Sequence, residues 1–320
     1  MLPLRSVIGM CVVILLVARA GALYGQGFPN KPIRMVTAAI GGGADLTARI
    51  VAQGLSTSLG RQVIVDNRGL TAIEIASSAP PDGYTLLAYG SPLWLAPLTQ
   101  DNVNWDALQD FAPITSATNT PNLLVAPSAL AVKSVQELIT LAKARPGELN
   151  YAAGSPGSTS HLGAELFKSM AGADIVHVPY KGNGPALTAL IGGQVQIMFA
   201  NVALVTPHIK TGRLKGLGVT SLHPTQLAPG MPTVASALPG YELVTNISVF
   251  APARTPAPVI GFLNHAIVRL LNLPEVKEKA LSIGVEAVGS TPGQLTAAMK
   301  AEVARFTKVV KDAGIRRGGA

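Results

Sequence analysis

The chain is poor in cysteine, in charged residues and in aromatic residues. Its single cysteine excludes a disulfide framework and every metal site that is built from several cysteines. Charged residues make up 13% of the 320 residues and aromatic residues 5%, whereas 48% are hydrophobic. Since charged residues make up roughly 25% of average proteins, this composition excludes intrinsic disorder and a coiled coil. It predicts a globular protein with a large core, long enough for about two domains.

Motifs for metals, nucleotides and nucleic acids are also missing. The five histidines include no pair in the H-E-x-x-H spacing of zinc proteins, and neither G-x-G-x-x-G nor a P-loop motif occurs. The net charge is +8, but the lysines and arginines are scattered and are not interleaved with aromatic residues, which disfavours nucleic-acid binding. The sequence therefore predicts no metal, no cofactor and no nucleic-acid partner, and its positive charge favours small anions as ligands.

The amino-terminal segment has the pattern of a secretory signal peptide. Arg5 precedes an apolar run of 11 residues, 7–17, and residues 18–20 (A-R-A) form a cleavage site of the A-x-A type. The run is too short to cross a bilayer, which needs roughly 20 apolar residues. We expect residues 1–27 to be the signal peptide, with cleavage at about residue 20–27, and the mature protein to reach the periplasm. A buried or anchoring amino-terminal helix is the alternative.

Strand and helix patterns alternate along the rest of the chain, which predicts an α/β fold with a mostly parallel sheet. In each half of the chain, one predicted strand is followed by a glycine turn and a helix. The turns are residues 41–45 (G-G-G-A-D) and residues 154–160 (G-S-P-G-S-T-S). Such a turn leaves backbone N–H groups unpaired at the positive end of the helix dipole, where they can bind an anion. A single glycine turn often occurs simply because the chain has to change direction between a strand and a helix. The evidence for an anion site is therefore the presence of one such turn in each half of the chain.

An enzyme is the alternative function, and the residues favour it less. Residues 153–157 (A-G-S-P-G) have the outline of a nucleophile elbow around Ser155. The residue after the nucleophile must lend its N–H group to the oxyanion hole, and Pro156 has none. Asp45 and Asp82 each stand without a second carboxylate nearby in the sequence, so neither belongs to an evident acid–base pair. A secreted enzyme acting on a carboxylated small molecule therefore remains the second hypothesis.

A series of short motifs runs in order along the chain after the signal peptide. They are residues 31–34 (KPIR), 41–49 (GGGADLTAR), 81–87 (PDGYTLL), 110–114 (DFAPI), 154–161 (GSPGSTSH), 177–182 (HVPYKG), 210–214 (KTGRL), 231–234 (MPTV) and 251–256 (APARTP). This series resembles the Bug family, the extracytoplasmic substrate-binding receptors of tripartite tricarboxylate transporters. The resemblance covers essentially the whole mature chain.

The resemblance implies an α/β fold of the two-domain periplasmic-binding-protein kind (Venus-flytrap, type II-like) with two crossover strands. It implies that domain 1 comprises residues 28–121 and 246–320, and that domain 2 comprises residues 122–245. It further implies a monomer that captures a small organic anion, typically a carboxylate, between the domains without catalysis. The expected partners are the membrane subunits of a tripartite tricarboxylate-type transporter or a sensor kinase.

The glycine turns and the resemblance together assign a set of residues to the ligand site. The set is Ala39, Ile40, Gly41, Gly42, Ala44, Asp45, Ser91, Ser155, Ser158, Thr159, His161, Pro179, Tyr180, Lys181 and Asn201. Two of these residues have a plain structural interpretation as well. His161 at the start of a helix can serve as a local hydrogen-bonding residue, and Lys181 can lie in solvent beside a structural turn.

Residues 41–45 include no arginine or lysine, so we expect backbone N–H groups and the helix dipole to hold the anion there. A side chain at Gly42 should then block the approach of the anion or require a backbone angle that only glycine adopts. The chain also departs from the family pattern. Residues 70–72 (L-T-A) stand where relatives have a glycine-rich stretch, and an acidic residue common near Ala200 is absent. Both departures affect the shape of the pocket, so the resemblance does not specify which carboxylate is bound.

Overall fold

The computed structural model describes residues 27–154 and 158–314. The expected signal peptide and Ser155 therefore lie outside the described residues, apart from Gly27 at the end of the signal segment. None of the helices in the described ranges combines the length and the hydropathy that a membrane span requires.

The first lobe is built around a parallel sheet of three strands. Its elements in chain order are β1 (Ile33–Thr37), α1 (Gly43–Leu59), β2 (Val63–Asn67), α2 (Thr71–Ser77), β3 (Thr85–Gly90) and α3 (Pro92–Thr99). Strand β1 lies between β2 and β3 and runs parallel to both. The helices α8 (Ala257–Leu271) and α9 (Pro274–Ser282), which come late in the chain, also belong to this lobe, because α8 packs against α1 and α9 packs against α8.

The second lobe repeats this arrangement with a second set of elements. They are α4 (Val135–Ala144), β5 (Asn150–Ala153), α5 (Thr159–Ala171), β6 (Val176–Pro179), α6 (Asn183–Ile191), β7 (Ile197–Asn201), α7 (Val202–Lys210) and β8 (Leu214–Val219). Strand β5 lies between β6 and β7 and runs parallel to both. In each lobe a helix follows the strand where the sequence predicts it, as β1–α1 in the first lobe and β5–α5 in the second, and residues 155–157 of the second glycine turn lie outside the described residues.

Two long strands, β4 (Phe111–Pro127) and β9 (Val244–Pro252), join the lobes. They pair with each other in antiparallel fashion, β9 pairs with β3 on its other side, and the last part of β4 pairs with β7 and β8. The hydrogen-bonded order is β2-β1-β3-β9-β4-β7-β5-β6. A short strand β10 (Glu286–Ala287) also pairs with β4. The chain thus passes between two α/β lobes on β4 and β9, in agreement with the two predicted crossover strands.

The carboxy-terminal helix α10 (Pro292–Asp312) contacts both lobes. It packs against α3 of the first lobe, against α5 of the second and against β4 between them, with Phe306 fully buried. Trp94 of α3 donates its indole N–H to the Glu302 carboxylate on α10 at 2.8 Å. On the other side, Arg305 pairs with Glu242, which precedes β9, at 3.5 Å. The helix that the domain prediction assigns to domain 1 therefore contacts elements of both lobes.

Candidate ligand-binding cleft

The carboxyl ends of one parallel strand from each lobe, β3 and β7, lie near one stretch of β4. Strand β3 ends at Gly90, which pairs with Ile247 of β9, and Ile247 pairs in turn with Thr118 of β4. Strand β7 ends at Asn201, which pairs with Asn122 of β4. The loops that follow the parallel strands of the two lobes therefore approach each other across the middle of β4. In open α/β sheets, ligands bind outside the carboxyl ends of the strands at such a point.

A buried carboxylate fixes the loop between β1 and α1. Asp45 accepts the Gly41 N–H at 2.9 Å and the Asn67 side-chain amide at 2.9 Å, and it pairs with Arg49 at 2.9 Å. The same Asn67 amide donates to the Ala38 carbonyl at 2.9 Å, which ties this loop to the end of β2. Burial by itself would raise the pKa of Asp45, but the hydrogen bonds from Gly41, Arg49 and Asn67 outweigh it and lower the pKa. Asp45 is thus a charged side chain that holds the loop in shape.

The start of helix α1 offers free backbone donors. Gly42 is the N-cap residue and provides no side-chain cap, and the first N–H group bonded back to the Gly42 carbonyl is that of Leu46. Within the described chain, the N–H groups of Gly43 and Ala44 make no hydrogen bond. Unpaired N–H groups in the first turn, together with the helix dipole, attract an anion. The first glycine turn therefore has the donors that the sequence analysis expects of it.

The expectation that Gly42 requires a glycine-only backbone angle is wrong. Its φ is −81° and its ψ is 168°, an extended conformation that any residue adopts. A Cβ atom there would meet only the Ala39 carbonyl oxygen, at the ordinary distance of 3.6 Å. The left-handed conformation falls on Gly41 instead, with φ +84°. The chain reverses at Gly41 because its N–H has to reach the Asp45 carboxylate.

Hydroxyl groups organise the start of α5 in the second lobe. Ser158 is the N-cap residue and accepts the His161 N–H at 3.4 Å, while Ser160 accepts the Gly154 N–H at 3.2 Å. The two serine hydroxyls lie 3.2 Å apart, within hydrogen-bonding distance. Thr159, between them, is exposed. Ser158 and Ser160 therefore stabilise the start of α5, and Ser160 also ties it to Gly154 at the end of β5.

A stack of rings lies behind this second turn. The rings of His161 and His177 are 4.3 Å apart, and Tyr151 stacks on His177 at 4.8 Å. Tyr151 donates its hydroxyl to Glu165 at 2.5 Å, and Lys168 pairs with the same carboxylate at 2.7 Å. Burial, and next the proximity of His177, lower the pKa of His161 to about 4, and burial also lowers the pKa of His177. Both shifts favour the neutral imidazoles, so these two histidines offer little positive charge to an anion.

The other predicted site residues follow strand ends of the two lobes. Ser91, after β3, is buried, and its hydroxyl makes no hydrogen bond within the described chain. It lies near Glu302, whose pKa burial raises. Asn201, after β7, caps α7 by accepting the Ala203 N–H at 2.9 Å. Four predicted site residues are exposed, namely Ala39, Ile40, Pro179 and Lys181. Tyr180 is partly buried, and its backbone N–H donates to the Ala153 carbonyl at 2.9 Å. The described members of the predicted set thus lie at or after the carboxyl ends of β1, β3, β5, β6 and β7.

The sequence analysis missed the polar floor between the lobes. Asn119 and Asn246 pair across β4 and β9, and Asn246 accepts hydrogen bonds from Ser116 at 2.7 Å and from Ser248 at 2.8 Å. The side-chain oxygen of Asn119 is buried without a hydrogen-bond partner in the described part of the protein. Residues 115–122 (T-S-A-T-N-T-P-N) form a nearly continuous polar run that interrupts an otherwise apolar chain. That run is the signal by which the floor could have been found.

Comparisons with known proteins agree with this geometry. The model of the "tripartite tricarboxylate transporter family receptor" matches residues 47–315. Protein BugT of Bordetella pertussis (strain Tohama I) is 33% identical over 320 residues, which cover 96% of this chain and 98% of BugT. The solved structure of R. palustris Rpa4515 with adipate is 34% identical, with a TM-score of 0.71 and coverage of 91% of this chain and 99% of that one. The periplasmic binding protein BugD is 28% identical, with a TM-score of 0.67 and coverage of 91% and 100%.

These matches confirm the predicted two-domain periplasmic-binding-protein fold and the resemblance to the Bug receptors. They are receptors that bind solutes, so the prediction of a non-catalytic solute-binding protein is confirmed and the enzyme hypothesis finds no support. The family model spans both lobes and the start of α5, and its match begins two residues after the first glycine turn. The chain belongs to the tripartite tricarboxylate transporter receptor family of periplasmic binding proteins.

Proposed function

We propose that this protein is a periplasmic receptor that captures a small carboxylate between its two lobes. The observation that carries the proposal is the pair of unpaired N–H groups, on Gly43 and Ala44, at the start of α1. Helix α5 begins after the carboxyl end of β5 in the second lobe, and in this proposal its amino terminus receives the second charged end of a dicarboxylate. The adipate bound to the relative Rpa4515 is a molecule of this kind.

The charges around the first turn favour capture by the backbone. Asp45 lies under the turn, and its negative charge would repel a carboxylate, but its pairing with Arg49 at 2.9 Å offsets that charge. Because Asp45 already accepts the Gly41 N–H, the N–H groups of Gly43 and Ala44 remain as the donors for the ligand. Hydrogen bonds from backbone N–H groups to a carboxylate are charge-assisted and contribute about 1.5–3 kcal/mol each. Asp45 is therefore a positioning residue in this proposal, and Gly43 is added to the predicted site.

The rim of the first turn favours a ligand with an apolar body. Ile40 is 77% exposed and Leu70 is 67% exposed, values that are unusual for side chains of this size. Their loops are fastened together, because Arg68 donates its N–H to the Thr37 carbonyl at 2.9 Å and Asn67 binds the Ala38 carbonyl. Leu70 stands where relatives have a glycine-rich stretch. We infer that both side chains contact the aliphatic chain of a dicarboxylate.

The domain boundaries and the export route form part of the same proposal. We place domain 1 at residues 28–121 and 246–320 and domain 2 at residues 122–245. The hinge then lies where β4 and β9 pass from one lobe to the other. A monomer would then close on its ligand and deliver it to transporter membrane subunits or to a sensor kinase. Export through cleavage at about residue 20–27 is supported by the sequence pattern alone. Mass spectrometry of the exported protein should find an amino terminus near these residues, and an intact Met1 would contradict this.

The function can be tested with purified mature protein and matched ligands. Adipate should raise the unfolding temperature, because a ligand at a hundredfold excess over its Kd stabilises the folded state by about 2.7 kcal/mol. The neutral diamide of adipic acid has the same chain and should have no effect. If no dicarboxylate from succinate to suberate stabilises the protein, or if the diamide acts as well as the acid, carboxylate capture is contradicted.

A further inference from the structure

A second concave site lies on the outer side of the first lobe, between α1, α8 and α9. This outer groove has a volume of about 1000 Å³ and is lined by residues of these three helices and by residues 27–29. It uses α1 only from Ile50 onward, whereas the ligand-binding cleft uses the other end of the helix at Gly43 and Ala44. The outer groove is therefore separate from the cleft.

The floor of the outer groove is apolar. The floor is lined by Ile50, Leu59, Leu270 and Val276. Beside it, α1 packs closely on α8 at Gly54, where a Cβ atom would collide with the Leu270 side chain. Phe262 and Leu273, which also line it, are 41% and 40% exposed. Ligand pockets for small molecules are typically about 300–1,000 Å³ and mainly apolar. The outer groove falls within this class and exceeds what a short dicarboxylate fills.

Positive charge lies along one side of this apolar floor. His265 and Arg269 are one helical turn apart on α8, and Lys279 of α9 donates a hydrogen bond to the neutral Gln53 side chain at 2.6 Å. Glu275 is the one acidic residue of the lining. Arg269 and Lys279 are exposed, and neither forms an ion pair with any residue in the described ranges. The groove therefore combines a long apolar surface with a guanidinium that has no carboxylate partner.

We propose that the outer groove binds a long-chain monocarboxylate, that is, a free fatty acid. Its alkyl chain lies on the apolar floor, and its carboxylate receives hydrogen bonds from Arg269, whose planar guanidinium suits two-point recognition of a carboxylate. A single charged end with a long apolar body matches the lining, whereas a dicarboxylate would leave one charge on the apolar floor. This site is independent of the ligand proposed for the cleft.

The proposal is tested by calorimetric titration of the mature protein with dodecanoate below its micellar concentration. Dodecanoate should bind with one-to-one stoichiometry, and dodecanol should bind much more weakly. Arg269→Gln should weaken dodecanoate binding by about tenfold or more, as expected for the loss of a charge-assisted pair, and Ala266→Phe, which fills the groove, should abolish binding. Lys277→Gln is the matched control, because Lys277 is exposed on α9 and does not line the groove.

Several outcomes would overturn the proposal. Equal binding of dodecanol would show that the carboxylate is not recognised, and displacement of dodecanoate by excess adipate would place it in the cleft. Binding to vesicles of anionic phospholipid without binding of the free acid would make the groove a membrane contact. Self-association that Ala266→Phe prevents, without dodecanoate binding, would make it a contact with a second copy. Circular dichroism and the unfolding temperature of each variant establish that it is folded, and Arg269 is exposed, so its substitution leaves the core intact.

Discussion

Acidification should destabilise this protein through the buried histidine of the second lobe. His161 is 5% exposed, and burial lowers its pKa from 6.5 to about 4. Unfolded His161 takes up a proton as the pH falls through 6.5, whereas folded His161 does so only near pH 4. Between these values the unfolded state binds more protons, so the free energy of unfolding decreases as the pH falls. The stabilisation is complete above about pH 6.5 and is lost by about pH 4.

The size of this effect follows from the two pKa values. Their difference of about 2.5 units corresponds to about 3 kcal/mol, since one pKa unit is worth about 1.4 kcal/mol. The groups that face His161 are His177, Tyr151 and the Glu165–Lys168 ion pair. The pKa of His177 is lowered in the same direction by burial, so its protonation adds to the loss. Because total stabilities are about 5–15 kcal/mol, a loss of this size is easy to measure.

Urea unfolding at pH 7, 5.5 and 4 measures the effect in the wild type and in His161→Phe. Phenylalanine keeps a flat ring against His177 but has no proton to gain, so the variant should lose about 3 kcal/mol less than the wild type between pH 7 and pH 4. Carboxylates that titrate between pH 7 and pH 4 contribute equally to the wild type and to His161→Phe, so the difference between the two proteins excludes their contribution. His223→Gln removes an exposed histidine and should follow the wild type. Parallel loss of stability in the wild type and His161→Phe would refute the reasoning.

Three further predictions concern the cleft. Gly41→Ala should cost about 1–2 kcal/mol of stability, because Gly41 has φ +84°. Gly42→Ala should change the stability by less than about 0.5 kcal/mol. If urea unfolding gives the reverse order, the loop geometry is contradicted. Lys181→Ala should weaken adipate binding less than about fivefold in calorimetry, because the side chain is exposed, and abolition of binding would instead indicate a side-chain ion pair. Small-angle scattering should give a smaller radius of gyration with adipate, since two lobes joined by two strands close by a hinge, and an unchanged radius with bound adipate would indicate a rigid cleft.

Much of the fold could be predicted because the local patterns are strong. The glycine turn before α1 and the start of α5 were both found from their residues, and each lies where a helix begins. The full length of β4 (Phe111–Pro127) cannot be predicted from the sequence, because residues 115–122 are mostly polar and lack the alternation of a half-buried strand. Some of these polar groups bond to distant partners, such as Thr115, which donates its hydroxyl to the Ser290 carbonyl at 2.9 Å. Helices α3 and α7 are hard to predict from the sequence because each contains an internal proline, Pro97 in α3 and Pro207 in α7.

The site depends on contacts that no local pattern reveals. The sequence shows three consecutive glycines but not that the left-handed conformation belongs to Gly41 and the extended one to Gly42. That choice follows from the hydrogen bond of Gly41 to Asp45, which is fixed in turn by Asn67, 22 residues further along the chain. Asp45 therefore holds the loop in shape in the structure, and its contact with the ligand stays a prediction. Sequence spacing identifies the turn, and tertiary contacts assign the role of each residue within it.

The most direct test of anion capture by the backbone is the amide spectrum of the mature protein labelled with ¹⁵N and titrated with adipate. The N–H groups of Gly43 and Ala44 have no partner within the described chain, so a bound carboxylate should move their proton signals strongly downfield, as a new charge-assisted hydrogen bond does. The N–H of Gly41 already donates to Asp45 and should move little. If adipate binds while the signals of Gly43 and Ala44 stay in place, the carboxylate is held elsewhere and the central claim is contradicted.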